Sequence, residues 1–429
     1  MEVFIAITIL FALLAVGLPV AFAMAVSGSI GLLMIGGIDL LAGILRTAPF
    51  TVANSYEIIT IPMFILMAEF VILSGMADDL FKAASIWIGR VKGGLAIATA
   101  LAGAGFGAIS GSSTAAAATL SSTTIPAMLK QGYEPRLACG VVATSGTLAM
   151  MIPPSIALVL YGIIADVSIG KLLIAGVIPG ILVTFTIMMT VSFLVMHDPS
   201  RAPVGRAYSM IEKLRSLKVV GPMIFLFAAV TGSIYLGIAT PTEAAGLGAF
   251  GALVLAAYTR RVSLITLKKA LKQASQATCM ILLIILAAQI FGYFFALTRT
   301  TQDIVLAVGE LETSRWAILA LILLGYIILG FFMDQIAILI LTVPVALPVI
   351  QSLGYDPVWF GVIVVLAAEV GMVTPPMGLN TFVVARYSQR SLGEIFRGVI
   401  PFVIAFLVMI SVLAVFPELV LWLPETMGR

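Results

Sequence analysis

The chain has 429 residues, of which 61% are hydrophobic and only 10% are charged, with a formal net charge of +3. Soluble globular proteins carry about 25% charged residues, so this composition excludes an ordinary soluble enzyme. The basic residues are confined to short connectors, which argues against nucleic-acid binding, and the sole histidine, His197, argues against haem or a multi-imidazole metal site. We expect no nucleic-acid partner and no organic cofactor.

Long uncharged segments begin near the N-terminus and recur along the chain. Each reaches the roughly 20 residues that an α-helix needs to cross a bilayer. Met1 and Glu2 lead into the first of them without a basic segment, so this helix is expected to stay in the membrane. The pattern predicts an all-α polytopic membrane protein. The uncharged segments are Val3–Ile38, Gly93–Leu129, Leu137–Ala165, Gln273–Thr298 and Gly398–Pro417.

Two irregular places interrupt the apolar segments of the first half. The stretch "FGAISGSSTAAAAT" at 106–119 has a polar centre inside a long uncharged run and predicts a re-entrant hairpin with its tip at Ser110–Thr114. The stretch "SGTLAMMIPPS" at 145–155 places Pro153–Pro154 inside the next span. Irregular backbone at membrane depth is tolerated only where protein covers it or where it lines a polar cavity, so both places are candidate binding elements.

The only long polar segment, "HDPSRAPVGRAYSMIEKLRSLK" at 197–218, carries five Arg or Lys residues. The positive-inside rule places it in the cytoplasm. Neither terminus has a basic cluster, so both are expected to lie outside, in the periplasm. The predicted division is 1–196, a connector at 197–222, and 223–429.

The two halves match without a gap at an offset of 222 residues. The tetrapeptide "GVIP" occurs at both 176–179 and 398–401. A half that begins outside and ends inside crosses the membrane an odd number of times, so the next half runs in the opposite sense. This predicts an inverted repeat, the plan of many secondary transporters; a parallel duplication is the alternative. Six prolines have a partner at this offset: Pro19, Pro126, Pro135, Pro153, Pro154 and Pro179 pair with Pro241, Pro348, Pro357, Pro375, Pro376 and Pro401.

The second half repeats the tip and the break, but with acids. "FFMDQIA" at 331–337 aligns with the first tip, and "EVGMVTPPMGLN" at 369–380 aligns with the first proline pair. Ser112 aligns with Asp334, and Thr147 with Glu369. Acids at membrane depth are functional candidates, although Asp334 could instead cap a helix, and Glu369 and Glu243 could lie near water.

Proline pairs inside a span leave carbonyl groups without helical donors. Unwound backbone flanked by half-helices offers oxygens to a cation and helix N-termini to an anion. Such uncharged, oxygen-rich pockets suit Na⁺. Kinks of this kind are also common in membrane helices without any site, but two kinks beside two tips, in register across the duplication, favour a site.

Several motifs together resemble the large membrane subunit of tripartite ATP-independent periplasmic (TRAP) transporters, within a wider ion-transporter superfamily. They are "GSSTAAA", "GYEP" followed by "IPPS", "ATPTEAA" at 239–245, "GYDP" followed by "GMVTPPMGLN", and the ending "FPELVLWLP". The resemblance implies an elevator-type secondary transporter in a bacterial or archaeal cytoplasmic membrane. It also implies a small four-helix membrane subunit, a periplasmic binding protein, and Na⁺-driven uptake of organic anions such as C4-dicarboxylates or sialic acids.

The resemblance further implies two or more Na⁺ ions and a moving unit of about 93–196 plus 315–415, with the remaining helices as scaffold. Ala149 stands where the family usually has glycine, as at Gly371, which bears on backbone flexibility at the first site. The implied residues are Ser110, Gly111, Ser112, Ser113, Ala149, Ile152 and Pro153 for the first Na⁺; Asp334, Gly371, Thr374 and Pro375 for the second; and Ser112, Ser113, Thr114, Asp334 and Asn380 for the substrate.

Other functions stay open at this point. A stand-alone Na⁺/carboxylate symporter or Na⁺/H⁺ antiporter of the same superfamily would work without partner subunits, and an antiporter would use Asp334 and Glu369 as its acid pair. A membrane hydrolase with a serine nucleophile would need a general base in hydrogen-bond reach. The sole histidine lies in the connector, so the chain is not expected to be an enzyme. A passive channel is disfavoured because the duplicated sites look occluded.

Overall fold

The computed structural model describes residues 1–259, 262–310 and 313–427, and nearly all regular structure in those ranges is helical. Two short 3₁₀ turns, Tyr56–Ile59 and Pro199–Arg201, accompany the α-helices. The α-helices are Glu2–Ala15 (α1), Val20–Ala53 (α2), Thr60–Ser74 (α3), Met76–Ile88 (α4), Gly94–Ser110 (α5), Ser113–Lys130 (α6), Pro135–Met151 (α7), Ile156–Ala165 (α8), Ile169–Ala175 (α9), Val177–His197 (α10), Met210–Tyr235 (α11), Pro241–Tyr258 (α12), Leu264–Leu297 (α13), Thr300–Gly309 (α14), Arg315–Phe332 (α15), Gln335–Ser352 (α16), Pro357–Val373 (α17), Leu379–Ser388 (α18), Leu392–Val415 (α19) and Glu418–Glu425 (α20).

Within the described ranges, eight helical segments are long and apolar enough to cross a membrane, or up to nine if α7 and α8 form one bent span. These two helices meet at an angle of 43°. A helix satisfies its backbone hydrogen bonds internally, which is why helices can span hydrocarbon. The prediction of an all-α polytopic membrane protein is confirmed.

Helix boundaries in α5–α8 recur 222 residues later in α15–α18, and no boundary is displaced by more than one residue. Each proline pair occupies a break, Pro153–Pro154 between α7 and α8 and Pro375–Pro376 between α17 and α18, and both peptide bonds are cis. The outer helices correspond less closely. Helix α2 has a kink at Gly37, where φ is 68°. The equivalent residue of the second half, 222 positions later, is Thr259, and α12 ends there.

The helices α7 and α17 lie at the centre of the molecule. Every residue of α7 from Leu137 to Met151, and every residue of α17 from Val358 to Val373, is buried. Helices α5 and α6 pack against α7, and α15 and α16 pack against α17. The two halves also exchange partners, since α18 packs against α6 and α8 packs against α16. Both breaks are therefore enclosed by helices from both halves.

The segment at 197–222 begins with the last residue of α10 and a 3₁₀ turn, continues as a non-helical connector, and ends within α11. Arg201 lies 3.6 Å from Glu134 and 3.2 Å from Asp198, and its carbonyl accepts the Glu134 N–H. Lys92 and Val204 form an isolated antiparallel bridge. The connector thus fastens to the α4–α5 and α6–α7 turns. From Met210 onward the chain is already α11, with a Ser209 capping box at its start.

Candidate functional site

The first tip is a tight turn between two helices. Helix α5 ends at Ser110, Gly111 has a φ of 56°, and Ser112 is the N-cap of α6. The Ser112 hydroxyl accepts a hydrogen bond from the Ala115 N–H at 3.4 Å, as N-cap serines commonly do. The Ser110 and Ser113 hydroxyls are buried and have no hydrogen-bond partner. Two buried oxygens at the tip are therefore available to a ligand.

The first break separates α7 from α8. Ile152 caps α7 in an extended conformation, and Pro153–Pro154 follow. Proline has no N–H, so the Ala149 and Met150 carbonyls lose the donors that a continuous helix would supply. The Ser155 hydroxyl replaces the missing donor at Met150. The Ala149 carbonyl is thus a candidate cation ligand through its backbone.

The first tip lies directly against the first break. A Cβ atom built on Gly111 would lie 3.3 Å from the Pro154 carbonyl oxygen. One built on Gly107 would lie 2.8 Å from the Ala149 nitrogen, so α5 and α7 are in backbone contact there. Small residues permit such approaches between membrane helices. The close approach at this crossing requires glycine on α5, at Gly107, and it tolerates the alanine at position 149 on α7.

The second tip and the second break are arranged in the same way. A Cβ built on Gly371 would lie 2.6 Å from the Gly330 Cα, so α15 and α17 also touch through their backbones. The Gly378 N–H, in the break, donates to the Phe331 carbonyl at 3.3 Å. Thr374 caps α17, and its hydroxyl donates to the Val370 carbonyl at 2.5 Å. The Thr374 oxygen therefore keeps its lone pairs free to accept.

The second-half acids have different surroundings. Asp334 is the N-cap of α16 without a side-chain cap hydrogen bond, and its carboxylate lies near the Gln335 and Ile336 N–H groups, where the helix dipole favours negative charge. Glu243 belongs to a capping box, in which its Oε2 accepts from the Thr240 N–H at 2.8 Å. Glu243 is therefore a helix cap, whereas Asp334 stands at the tip.

Glu369 is a buried acid that sequence reasoning left undecided. Its side chain is 1% exposed, and neither carboxylate oxygen has a hydrogen-bond partner. The Ser113 hydroxyl lies near the Glu369 carboxylate in a contact with hydrogen-bond character, although its geometry falls short of an ordinary hydrogen bond, and the Asp334 charge also acts on this carboxylate. Glu369 thus lies within electrostatic reach of both tips. The sequence does contain a signal for Glu369. It is an acid in an otherwise apolar span, and it aligns with the uncharged Thr147 of the first half.

Two buried amides complete the polar centre. Gln335, the counterpart of Ser113 at the offset, donates from Nε2 to the Val365 carbonyl at 3.1 Å, while its Oε1 has no partner. Asn380 is 0% exposed, and neither polar atom of its side chain has a partner. It lies in the first turn of α18, which packs against α6. Sequence reasoning found Asn380 but missed Gln335.

Comparisons with known proteins settle the family. Residues 7–419 match the family described as "Tripartite ATP-independent periplasmic transporter, DctM component". The chain belongs to this family. The C4-dicarboxylate TRAP transporter large permease protein DctM of Pseudomonas aeruginosa is 35% identical over 380 residues, which cover 88% of each chain. The ectoine/5-hydroxyectoine TRAP transporter large permease protein UehC of Ruegeria pomeroyi is 31% identical over 424 residues, 96% of each.

A solved structure supports the fold of this TRAP large permease. The Alcanivorax borkumensis YdaH transporter superposes with a TM-score of 0.65 at 15% sequence identity, covering 90% of this chain and 89% of that chain. At this identity the likeness concerns the fold alone. The predicted resemblance to TRAP large permeases is confirmed, and the protein is a multi-pass membrane protein whose relatives are permeases. The sole histidine, His197, ends α10 and stacks on Phe193.

Proposed function

We propose that this TRAP large permease takes up an organic anion by Na⁺-coupled secondary active transport across the cytoplasmic membrane of a bacterium or archaeon. The observation that carries the proposal is the convergence of two helix tips and two proline breaks on a buried centre whose oxygens lack hydrogen-bond partners. Buried polar groups are normally paired, so unpaired ones that meet at one place indicate a ligand.

The residues present fit Na⁺. The first site would combine the Ser110–Ser113 tip with Ala149, Ile152 and Pro153 of the first break. The second would combine Asp334 with Gly371, Thr374 and Pro375 of the second. Hydroxyl, carboxylate and backbone oxygens are suitable ligands for such a cation. Bound there, Na⁺ supplies positive charge that offsets the buried acid and the anionic substrate.

The substrate class follows from the helix termini and from the family. Helices α6 and α16 begin at the two tips, and helix N-termini attract anions. Ser112, Ser113, Thr114, Asp334 and Asn380 would contact the substrate. C4-dicarboxylates, sialic acids and related carboxylates or sulfonates fit this description, and the relatives named above include a C4-dicarboxylate permease and an ectoine permease. A periplasmic binding protein and a small four-helix membrane subunit would complete the system.

The recurrence of helix boundaries at an offset of 222 residues supports two inverted repeats, 1–196 and 223–429; positions 428 and 429 lie outside the described residues. With the basic connector in the cytoplasm, both termini would be periplasmic. We propose an elevator mechanism, in which about 93–196 and 315–415 move as one unit against the remaining helices. Backbone contact between α5 and α7 and between α15 and α17 suits a rigid moving unit.

Uptake into proteoliposomes tests this function. Vesicles would contain the chain and the small subunit, and a panel of labelled organic acids would be offered with and without the cognate binding protein and an inward Na⁺ gradient. We expect uptake only when both are present. Uptake that ignores Na⁺ would remove the ion assignment. Uptake or proton exchange without the binding protein would move the protein to the stand-alone symporters or antiporters.

A further inference from the structure

Four side-chain oxygens of three residues have no ordinary hydrogen bond in the region where the two tips pack near α17. They belong to Ser113 at the start of α6, Gln335 at the start of α16, and Glu369 in α17. All three side chains are buried, with 1% or less of their surface exposed. A buried carboxylate is expensive unless a positive charge or several donors accompany it. A cation beside Glu369 would offset the cost of burying its charge.

The chain supplies no counter-ion for Glu369 within the described ranges. The one charged group that interacts with its carboxylate is Asp334, which carries the same sign. The other charged residues on the helices packed against α17 form no ion pair with that carboxylate. They are Arg136 on α7, Lys171 on α9, Arg315 on α15, Arg386 on α18, Glu394 and Arg397 on α19, and Glu418 and Glu425 on α20.

The ligands are held in place by the fold. Gln335 reaches α17 through its bond to the Val365 carbonyl, and Val365 precedes Glu369 by four residues, so both lie on the same helical face. This places the unpaired Oε1 of Gln335 on the side of α17 that carries Glu369. Ser113 approaches the carboxylate from the first half. Because Ser113 and Gln335 occupy equivalent positions in the two halves, the site has one neutral ligand from each tip.

We propose that Glu369 binds a third Na⁺ between the two tips, with the Ser113 hydroxyl and the Gln335 amide oxygen as further ligands. This inference rests on the proposed function and extends it. Sites 1 and 2 each pair a tip with the break of the same half, whereas this site, which would share Ser113 with site 1, needs both tips and α17 together. Binding of this third ion would therefore require that the two halves are packed together.

The experiment counts Na⁺ bound to the purified permease complex by equilibrium binding of radioactive Na⁺, without any transport step. Glu369→Gln keeps the shape of the side chain and removes its charge. We expect it to bind about one Na⁺ fewer per chain than the unaltered protein. Glu57→Gln, at an exposed glutamate of the first half, is the matched control and should leave the number unchanged. Na⁺ should also raise the melting temperature less in Glu369→Gln, since a ligand stabilises the state that binds it.

Gln335→Met provides a second variant in case Glu369→Gln does not fold. It keeps the length of the side chain, removes the amide oxygen, and leaves Glu369 in place. We expect the affinity for one of the bound ions to fall at least severalfold, and unchanged affinity would overturn the proposal. If folded Glu369→Gln binds as many Na⁺ ions as the unaltered protein, the proposal of a third site is overturned, whether or not the variant binds one proton fewer. The Na⁺-coupled function would remain intact. An unaltered protein that binds no Na⁺ would overturn both.

Discussion

Replacement of Asp334 by alanine should reduce organic-anion uptake at least tenfold while leaving the yield of folded protein close to that of the unaltered protein. The carboxylate lies at the second tip and interacts with Glu369. Its side chain forms no cap hydrogen bond of ordinary geometry, although it lies near the Gln335 and Ile336 N–H groups, so its removal should cost no more stability than the loss of a helix cap, about 1 kcal/mol. Removing one member of a buried charge pair costs roughly 2–5 kcal/mol of binding free energy. Because Asp334 is only half-buried, we expect at least about 1.4 kcal/mol, which is about tenfold in affinity.

Asp356→Ala is the matched control for this variant. Asp356 is also an aspartate N-cap, but its Oδ1 accepts from the Val358 N–H at 2.8 Å and from the Trp359 N–H at 3.0 Å. It lies at the opposite end of α17 from the second break. We expect a loss of about 1 kcal/mol of stability and near-normal uptake per folded molecule. Normal uptake by Asp334→Ala would exclude a role of Asp334 in transport and leave it only a structural role.

Gly330→Ala should destabilise the protein and abolish uptake, because it separates α15 from α17 at the second site. The new Cβ would lie 2.6 Å from the Ala368 carbonyl oxygen and 2.7 Å from the Gly371 Cα. Backbone atoms cannot yield as a flexible side chain can, so the helices must shift. Overpacking of this kind costs roughly 1–3 kcal/mol. The melting temperature and Na⁺-dependent uptake would be measured together.

Gly325→Ala, on the same helix, is the control for Gly330→Ala. A Cβ at Gly325 would meet no atom within 4 Å, and alanine favours a helix over glycine by up to about 1 kcal/mol. We expect equal or slightly higher stability and unchanged uptake. Equal behaviour of the two variants would contradict the proposal that contact between α15 and α17 shapes the second site.

Much of the fold could be predicted from the sequence because membranes impose strong local rules. Uncharged length determines spans, and proline pairs interrupt them. The tip predicted at Ser110–Thr114 contains the turn between α5 and α6, and both proline pairs lie in breaks. The end of the connector was harder to predict from the sequence. Residues 210–218 are polar enough to be predicted as connector, yet they form the beginning of α11 because Ser209 and Glu212 build a capping box.

The centre of the candidate site could be predicted only in part, because it depends on contacts between the halves. The aligned positions identified Asp334 as exceptional, and the polar tip identified Ser113. Nothing local shows that Glu369 faces Ser113, since these residues are far apart in the chain and on helices of different halves. Gln335 escaped notice for the same reason. It follows Asp334 directly, and its importance lies in an oxygen left unpaired by the packing of α16 on α17.

The unequal charge of the two halves has an electrical consequence. Where the first half has Ser112 and Thr147, the second has Asp334 and Glu369, so two acids lie at the centre of the proposed moving unit, whose segments 93–196 and 315–415 otherwise hold seven Lys or Arg and four further Asp or Glu. A membrane potential of 100 mV changes the free energy of moving one elementary charge across the membrane by about 2.3 kcal/mol. A cell that is negative inside would therefore favour the outward-facing empty unit if these two acids carry their charges through the membrane field while the other charges of the unit stay in water. Membrane voltage would reset the carrier after each delivery.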